Sequence, residues 1–262
     1  MQNISAKKHL GQHFLKDETI AKQIVESLNP NNRYKQVLEI GPGMGVLTQF
    51  LFEHKEYHTT LIEIDKEAIA YLKEHFTIHR DQMLEGDFLA MNLKTLFSEP
   101  VAIIGNFPYN ISTQILFKIL ENRELVPEAV GMFQKEVAER IAGEPGNKEY
   151  GILSVFMQAY YDVELLFMLN ENDFSPPPRV KSAVLRFERK EDFILGCDEK
   201  AFFRTVKTAF NQRRKTLRNA LSSLMNKKDM VAIPFLDKRA ETLSWQQFVE
   251  LTNSLAEANK EK

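Results

Sequence analysis

The tetrapeptide Asn106-Phe107-Pro108-Tyr109 brings together groups that could work on the exocyclic amine of an adenine. That amine is a poor nucleophile, because its lone pair is delocalised into the ring. The Asn106 side-chain oxygen and a backbone carbonyl near Pro108 could accept its two hydrogens and favour a pyramidal nitrogen. Tyr109 would stack on a base taken out of its helix. The amine could then accept a methyl group from a sulfonium held in line. Positioning and electrostatics would replace a strong base, since the proton becomes acidic once the methyl arrives. A turn closed by Pro108, with Asn106 capping the next helix, accounts for the same residues but gives no reason for an aromatic after the proline. Phe174, in Phe174-Ser175-Pro176-Pro177-Pro178-Arg179-Val180, could supply the other face of a base sandwich or anchor that loop in the core.

A donor must lie beside such a base, and three further segments offer it contacts. Glu39-Ile40-Gly41-Pro42-Gly43-Met44-Gly45 spaces its glycines as GxGxG, letting the backbone turn tightly and approach a ligand. Position 46 is Val, so the dinucleotide fingerprint GxGxxG is not met and NAD is the poorer fit. Glu63 could accept hydrogen bonds from ribose hydroxyls, although an exposed acid in a polar turn reads the same way. Asp87, in Gly86-Asp87-Phe88, could take an adenine amine while its neighbours cover the ring, or could cap the next segment. Together these point to an adenosine-containing cofactor. Gln12-His13-Phe14-Leu15-Lys16-Asp17 could fold over it as a lid, with His13 in a hydrogen-bonding role.

The elements that must position these groups follow from hydrophobic patterning. Short apolar runs at 36–40, 58–64, 82–86, 101–106 and 128–133 alternate with helical patterns near 17–28, 45–54, 66–75, 112–121 and 135–142. Strand–helix alternation with near-continuous apolar strands predicts an α/β fold, a parallel sheet covered on both faces. Ligands bind such sheets where the carboxyl ends of the strands open, and all four motifs fall at such ends. A helix at 152–160 follows, then the runs VELLFML and SAVLRFER, read as edge strands joined by a stiff loop because prolines exclude regular structure at 176–178. Beyond about residue 190, helical patterns at 198–210, 214–225 and 244–258 predict a small helical domain. The expected division is 1–190 for the cofactor-binding domain and 191–262 for the helical one.

The 262-residue chain carries a net charge of −2 and one cysteine, Cys197, which excludes an internal disulfide and any CxxC metal or redox site. No run of about 18 apolar residues marks a membrane span and no secretory leader is evident, so a cytoplasmic home is expected. Near-neutral overall charge argues against a generic polyanion binder, yet Lys207 to Lys228 holds seven Lys or Arg and no acid. A nucleic-acid face or a solvated helix face would both look like this.

The segments QHFLKD, EIGPGMG, LIEID, GDFL, GNFPYNIS, FQKEVAER, FSPPPRVKSAV and FNQRRKTLRNAL, in this order, resemble the KsgA family of ribosomal RNA adenine dimethyltransferases. The resemblance implies a class I (Rossmann-like) methyltransferase fold, with a mostly parallel seven-stranded sheet and a small C-terminal helical domain. It implies S-adenosylmethionine as donor and no metal. The implied substrate is two adjacent adenosines in the 3′-terminal hairpin loop of 16S rRNA, each dimethylated, within a pre-30S particle and in small-subunit biogenesis. By motif match, His13, Leu15, Gly41, Glu63, Asp87 and Asn106 fall on the family's cofactor positions, with Gly43 in the same turn. Asn106, Pro108, Tyr109 and Phe174 fall on its target-base positions. The sequence departs from many relatives at His13, where Asn is common, and at Phe107, where Leu is. The basic stretch becomes the natural phosphate-contacting element, through Arg213, Arg214, Lys215 and Arg218. The chain is expected to act as a monomer. The competing readings are an Erm-type 23S rRNA adenine methyltransferase and a non-catalytic ribosome-assembly factor; the intact glycines, Glu63, Asp87 and NFPY argue against the latter.

Overall fold

The computed structural model describes residues 6–191, 193–225 and 233–259. Its elements, in chain order, begin with β1 (Phe14–Leu15), α1 (Glu18–Glu26), β2 (Gln36–Ile40), α2 (Thr48–Leu51), β3 (His58–Glu63), α3 (Lys66–His75), β4 (Met83–Glu85) and α4 (Leu93–Leu96). They continue with β5 (Val101–Gly105), α5 (Ser112–Glu121), β6 (Glu128–Gln134), α6 (Lys135–Ala142), α7 (Ile152–Tyr160), β7 (Tyr161–Leu169), β8 (Phe174–Ser175) and β9 (Ser182–Arg189). Three helices follow: α8 (Glu199–Asn211), α9 (Leu217–Ala220) and α10 (Trp245–Ala258). Among the described residues, no helix is long and apolar enough to cross a membrane.

The chain divides into two compact units. The first runs to Ala138 and resumes from Val163 to Arg189; the second comprises Glu139–Asp162 and the chain from Lys190 onward. The sequence expectation places residues 139–162 with the first domain, whereas they group with the second unit. The reason lies in α7, which buries Leu153, Val155, Phe156, Met157, Ala159 and Tyr160 and so lacks a polar face. Within the second unit, the Phe156 ring packs 4.3 Å from that of Phe203 on α8, and Tyr160 Oη donates to Glu199 Oε1 at 2.6 Å.

The first unit holds a seven-stranded sheet in the order β4-β3-β2-β5-β6-β9-β7. The pairs β2/β3, β2/β5, β3/β4 and β5/β6 are parallel, and β6/β9 is antiparallel. β9 was expected at an edge; it lies between β6 and β7, and its buried run Ser182–Leu185 reflects that interior position. Alternate residues of the central strands (Val37, Ala102, Ile104, Val130, Met132, Val184) share one core cluster with Ala21, Ile24 and Val25 of α1. Each large aliphatic side chain buried in this way stabilises the fold by about 1.5–3 kcal/mol. Helix α1 starts where Asp17 Oδ1 accepts the amides of Thr19 and Ile20 at 2.8 and 3.2 Å. The strand order reverses between β2 and β5, and that crevice at their carboxyl ends is where a ligand fits.

Candidate active site

The glycine-rich turn after β2 uses three positive backbone angles, with φ of +65° at Gly41, +57° at Gly43 and +80° at Gly45. A Cβ on Gly43 would stand 2.9 Å from the Phe14 ring, so β1 and the turn meet at a distance a side chain would prevent. At the end of β3, buried Glu63 accepts three backbone amides: Gly43 on Oε2 at 3.1 Å, and Ile64 and Asp65 on Oε1 at 2.8 and 2.9 Å. A carboxylate has about four acceptor sites, so Glu63 clamps the turn and retains one for a ligand. Burial raises its pKa and the three amides oppose that shift. Beneath it, Glu39 accepts the Thr48 hydroxyl at 2.7 Å, and its carboxyl is pushed up to about 8 by burial, with the charge of Glu63 adding to the shift. Asp87 is exposed, its Oδ1 accepting the amide of Leu89 at 2.8 Å while Oδ2 is left over.

Sequence reasoning missed what supports this wall. Lys118 of α5 donates to the carbonyls of Leu89 (2.7 Å) and Met91, and lies 5.3 Å from the centre of the Phe88 ring. A lysine among the apolar residues of α5 was the available signal. Similarly, Asp65 caps α3 and receives Lys7 Nζ at 2.6 Å and Gln12 Nε2 at 3.2 Å. Burial alone would raise the Asp65 pKa; the bonds from Lys7 and Gln12 outweigh it and bring the pKa below the usual aspartate value. These bonds tie the residues before β1 to the start of α3, while Gln12, His13 and Phe14 line the cleft.

On the other side of the cleft, Asn106 Nδ2 donates to the His13 carbonyl at 2.7 Å. A carbonyl can only accept, so the amide nitrogen is fixed toward His13 and Asn106 Oδ1 is turned away from it. The carbonyl of Pro108 takes the amide of Ile111 at 3.0 Å and keeps a second lone pair. Tyr109 is held twice: its hydroxyl lies 2.5 Å from Ser182 Oγ, and its ring stacks on that of His13 with centroids 5.3 Å apart. Burial raises the Tyr109 pKa, so it stays a neutral phenol. His13 Nδ1 donates to the Pro176 carbonyl at 2.8 Å, which sets its tautomer. Phe107 points away into the core, where its ring fills the space that a Cβ on Gly131 would need. These segments line one cleft of about 200 Å³, from Gly11–Phe14 through Gly41, Gly43, Glu63 and Asp87 to Asn106–Ile111.

Two expected site residues lie elsewhere. Leu15 and Phe174 face each other in the β1/β8 pairing, 4% and 1% exposed, and both belong to the core cluster. Phe174 is thus the loop anchor of the two readings considered, and no face of its ring lines the cleft; Leu15 contributes packing. The structure gathers His13, Gly41, Gly43, Glu63, Asp87, Asn106, Pro108 and Tyr109.

In the second unit, the helix expected at 214–225 is shorter, with α9 covering Leu217–Ala220. The chain there is tied sideways: Leu217 N donates to Lys238 O and Arg218 N to Leu236 O, both at 2.8 Å. Arg218 pairs with Asp237 at 3.0 Å, and Arg213 donates to the Lys148 carbonyl. Arg214 and Lys215 are exposed. Lys227 and Lys228 lie outside the described residues.

Comparison with known proteins agrees with this geometry. The family model "Ribosomal RNA adenine dimethylase" matches residues 3–257. The chain is 56% identical over 256 residues to the ribosomal RNA small subunit methyltransferase A of Cytophaga hutchinsonii, covering 98% of this chain and 99% of that one. It is 53% identical to the protein of the same name from Flavobacterium johnsoniae, covering 97% of each. Among solved structures, it resembles a dimethyladenosine transferase from Plasmodium falciparum, with a TM-score of 0.79, 25% identity and coverage of 94% of this chain and 98% of that one. The 23S rRNA methyltransferase ErmE has the same fold, with a TM-score of 0.69, 24% identity and coverage of 93% and 99%.

Proposed function

The chain belongs to the ribosomal RNA adenine dimethylase family, and from that premise we propose that it dimethylates the exocyclic amines of two adjacent adenosines in the 3′-terminal hairpin loop of 16S rRNA. The particle is the pre-30S subunit, the donor S-adenosylmethionine, and the enzyme works as a cytoplasmic monomer in small-subunit biogenesis. The names of its bacterial relatives support the small-subunit assignment.

The residues present fit the donor. The positive-φ turn at Gly41 and Gly43 admits a ligand against bare backbone, Glu63 offers a remaining acceptor for a hydroxyl, and Asp87 Oδ2 offers one for an amine. The donor would supply an electrophilic methyl group on a sulfonium. The chain supplies the nucleophile's geometry. Asn106 Oδ1 accepts one hydrogen of the adenine amine and the free lone pair of the Pro108 carbonyl accepts the other. This draws the nitrogen out of conjugation, while the Tyr109 ring stacks on the base. Tyr109 acts through its ring, since its hydroxyl is engaged by Ser182. After the first transfer the amine has one hydrogen left, so one acceptor suffices for the second.

The observation that carries this reading is the Asn106 amide, fixed by His13 so that its oxygen is the group left for the substrate. The test is incubation with methyl-labelled donor and, in separate reactions, unmethylated 30S particles or 23S rRNA, with mass spectrometry of the RNA. Dimethyladenosine at two adjacent positions of 16S rRNA is expected; label in 23S rRNA, or none, would reject the reading. Arg213, Arg214, Lys215 and Arg218 are assigned to phosphate contact, led by the exposed Arg214 and Lys215. Charge reversal at Arg213, Arg214 and Lys215 is expected to weaken RNA binding at least tenfold while sparing donor affinity, measured by filter binding and calorimetry.

A further inference from the structure

The proline-rich loop between β8 and β9 is fastened at both ends to residues that line the cleft. At its start, the Pro176 carbonyl accepts His13 Nδ1 at 2.8 Å. At its end, Ser182 Oγ meets the Tyr109 hydroxyl at 2.5 Å, and Ser182 is fully buried. Three consecutive prolines, Pro176 to Pro178, stiffen the span between these ties.

What this loop presents outward is basic. Arg179 and Lys181 are exposed and flank Val180, itself 43% exposed. Between Asp173 and Glu188 the chain has no acid. Among the described residues, neither Arg179 nor Lys181 makes an ion pair, whereas Arg186, on β9, is paired with Glu164 at 2.6 Å. Two cations without an ion-pair partner among the described residues thus stand on a rigid span tied to both His13 and Tyr109, where a polyanion beside a held base would pass.

We propose that Arg179 and Lys181 form a second RNA-contacting surface, on the first unit, which grips the phosphates flanking the extruded adenosine. The inference rests on the functional reading above and deepens it. The loop fixes where the strand lies relative to Tyr109; it touches no reacting atom. Phosphate contacts position a nucleic acid without reading its sequence and make binding salt-dependent. Each phosphate neutralised on a single strand contributes a slope of about 0.7 in log affinity against log salt.

The test compares wild type with Arg179→Glu/Lys181→Glu on unmethylated 30S particles, measuring KM, kcat, donor affinity and the salt slope. The double variant is expected to raise KM for the particle about tenfold or more, with a much smaller effect on kcat and none on donor affinity. Its salt slope should be shallower by about 1.4, the share of two phosphates. The milder pair Arg179→Ala/Lys181→Ala should show the same pattern at reduced size, and Arg179→Lys/Lys181→Arg should restore wild-type behaviour. A wild type that methylates the particle alongside a double variant of unchanged KM and slope would overturn the loop's role and leave the functional reading intact. A wild type that neither binds nor methylates it would overturn both.

Discussion

The two sides of the cleft are built by different means. On the donor side, backbone shapes the site: three glycines at positive φ, and a carboxylate that spends most of its acceptors on main-chain amides. On the base side, side chains are held by partners far away in sequence: Asn106 by the His13 carbonyl, Tyr109 by Ser182, and His13 by Pro176. A backbone cradle tolerates little change, and a substitution there costs at once. A grip made of tethered side chains can shift by small amounts, as the proposed second methylation would require.

Substitutions can break or sharpen this contrast. Asn106→Ala removes the acceptor at the reacting nitrogen, and kcat is expected to fall by about 10²–10³, the usual loss for one electrostatic contact to a reacting group. Donor affinity, measured by calorimetry, should stay within a few-fold of wild type. Gly43→Ala attacks the other side. It costs about 1–2 kcal/mol for left-handed backbone, besides the encounter with Phe14, so donor affinity should drop about tenfold or more while RNA affinity holds. Ser182→Ala strands the Tyr109 hydroxyl, partly open to water, at about 1 kcal/mol. It should slow turnover about fivefold and raise the monomethyl-to-dimethyl product ratio, read by mass spectrometry; added to Tyr109→Phe, it should cost little more. An unchanged product ratio would reduce Ser182 to a packing residue.

The smallest effect concerns stability. The Glu39 carboxyl is raised by burial to about 8 in the folded chain, against about 4.3 when unfolded. A raised folded value means that its contribution is fully present below the unfolded pKa and is lost as pH rises toward 8. Glu39→Gln, whose amide oxygen can still accept from Thr48, should therefore flatten the decline of Tm between about pH 5 and 8, followed by thermal unfolding across that window.

The contrast also explains what could be read in the sequence. Helices α3 and α5 and strand β2 fell where periodicity put them, because Asp65 caps one helix and continuous apolar runs define the strand. On the proposed donor side, the glycine spacing and strand-end acids are local signals, and the structure brings them to one cleft. The base side was legible as a motif at 106–109 but not as a structure, because nothing near Tyr109 in sequence announces Ser182 or His13. Phe174 and Leu15 look like site residues from their neighbours; it is their mutual pairing in β1/β8 that buries them. The grouping of 139–162 with the second unit is not a local signal either. An α-helix that is apolar on every side does not declare which partner it packs on, and the Phe156–Phe203 contact is a tertiary fact.

The strap from Lys7 and Gln12 to Asp65 closes on the donor half of the cleft, and its ion pair is partly open to water. The neighbouring residues Phe14 and Leu15 are secured separately, by the ladder to Ser175 and Phe174. Gly11, in left-handed backbone, lies between Lys7 and Gln12 and passes close to Asn110, where a Cβ would stand 2.5 Å from the Asn110 side-chain oxygen. Loosening the strap therefore means breaking both the Lys7 ion pair and the Gln12 hydrogen bond to the buried Asp65 carboxylate, and leaves the β1/β8 ladder untouched.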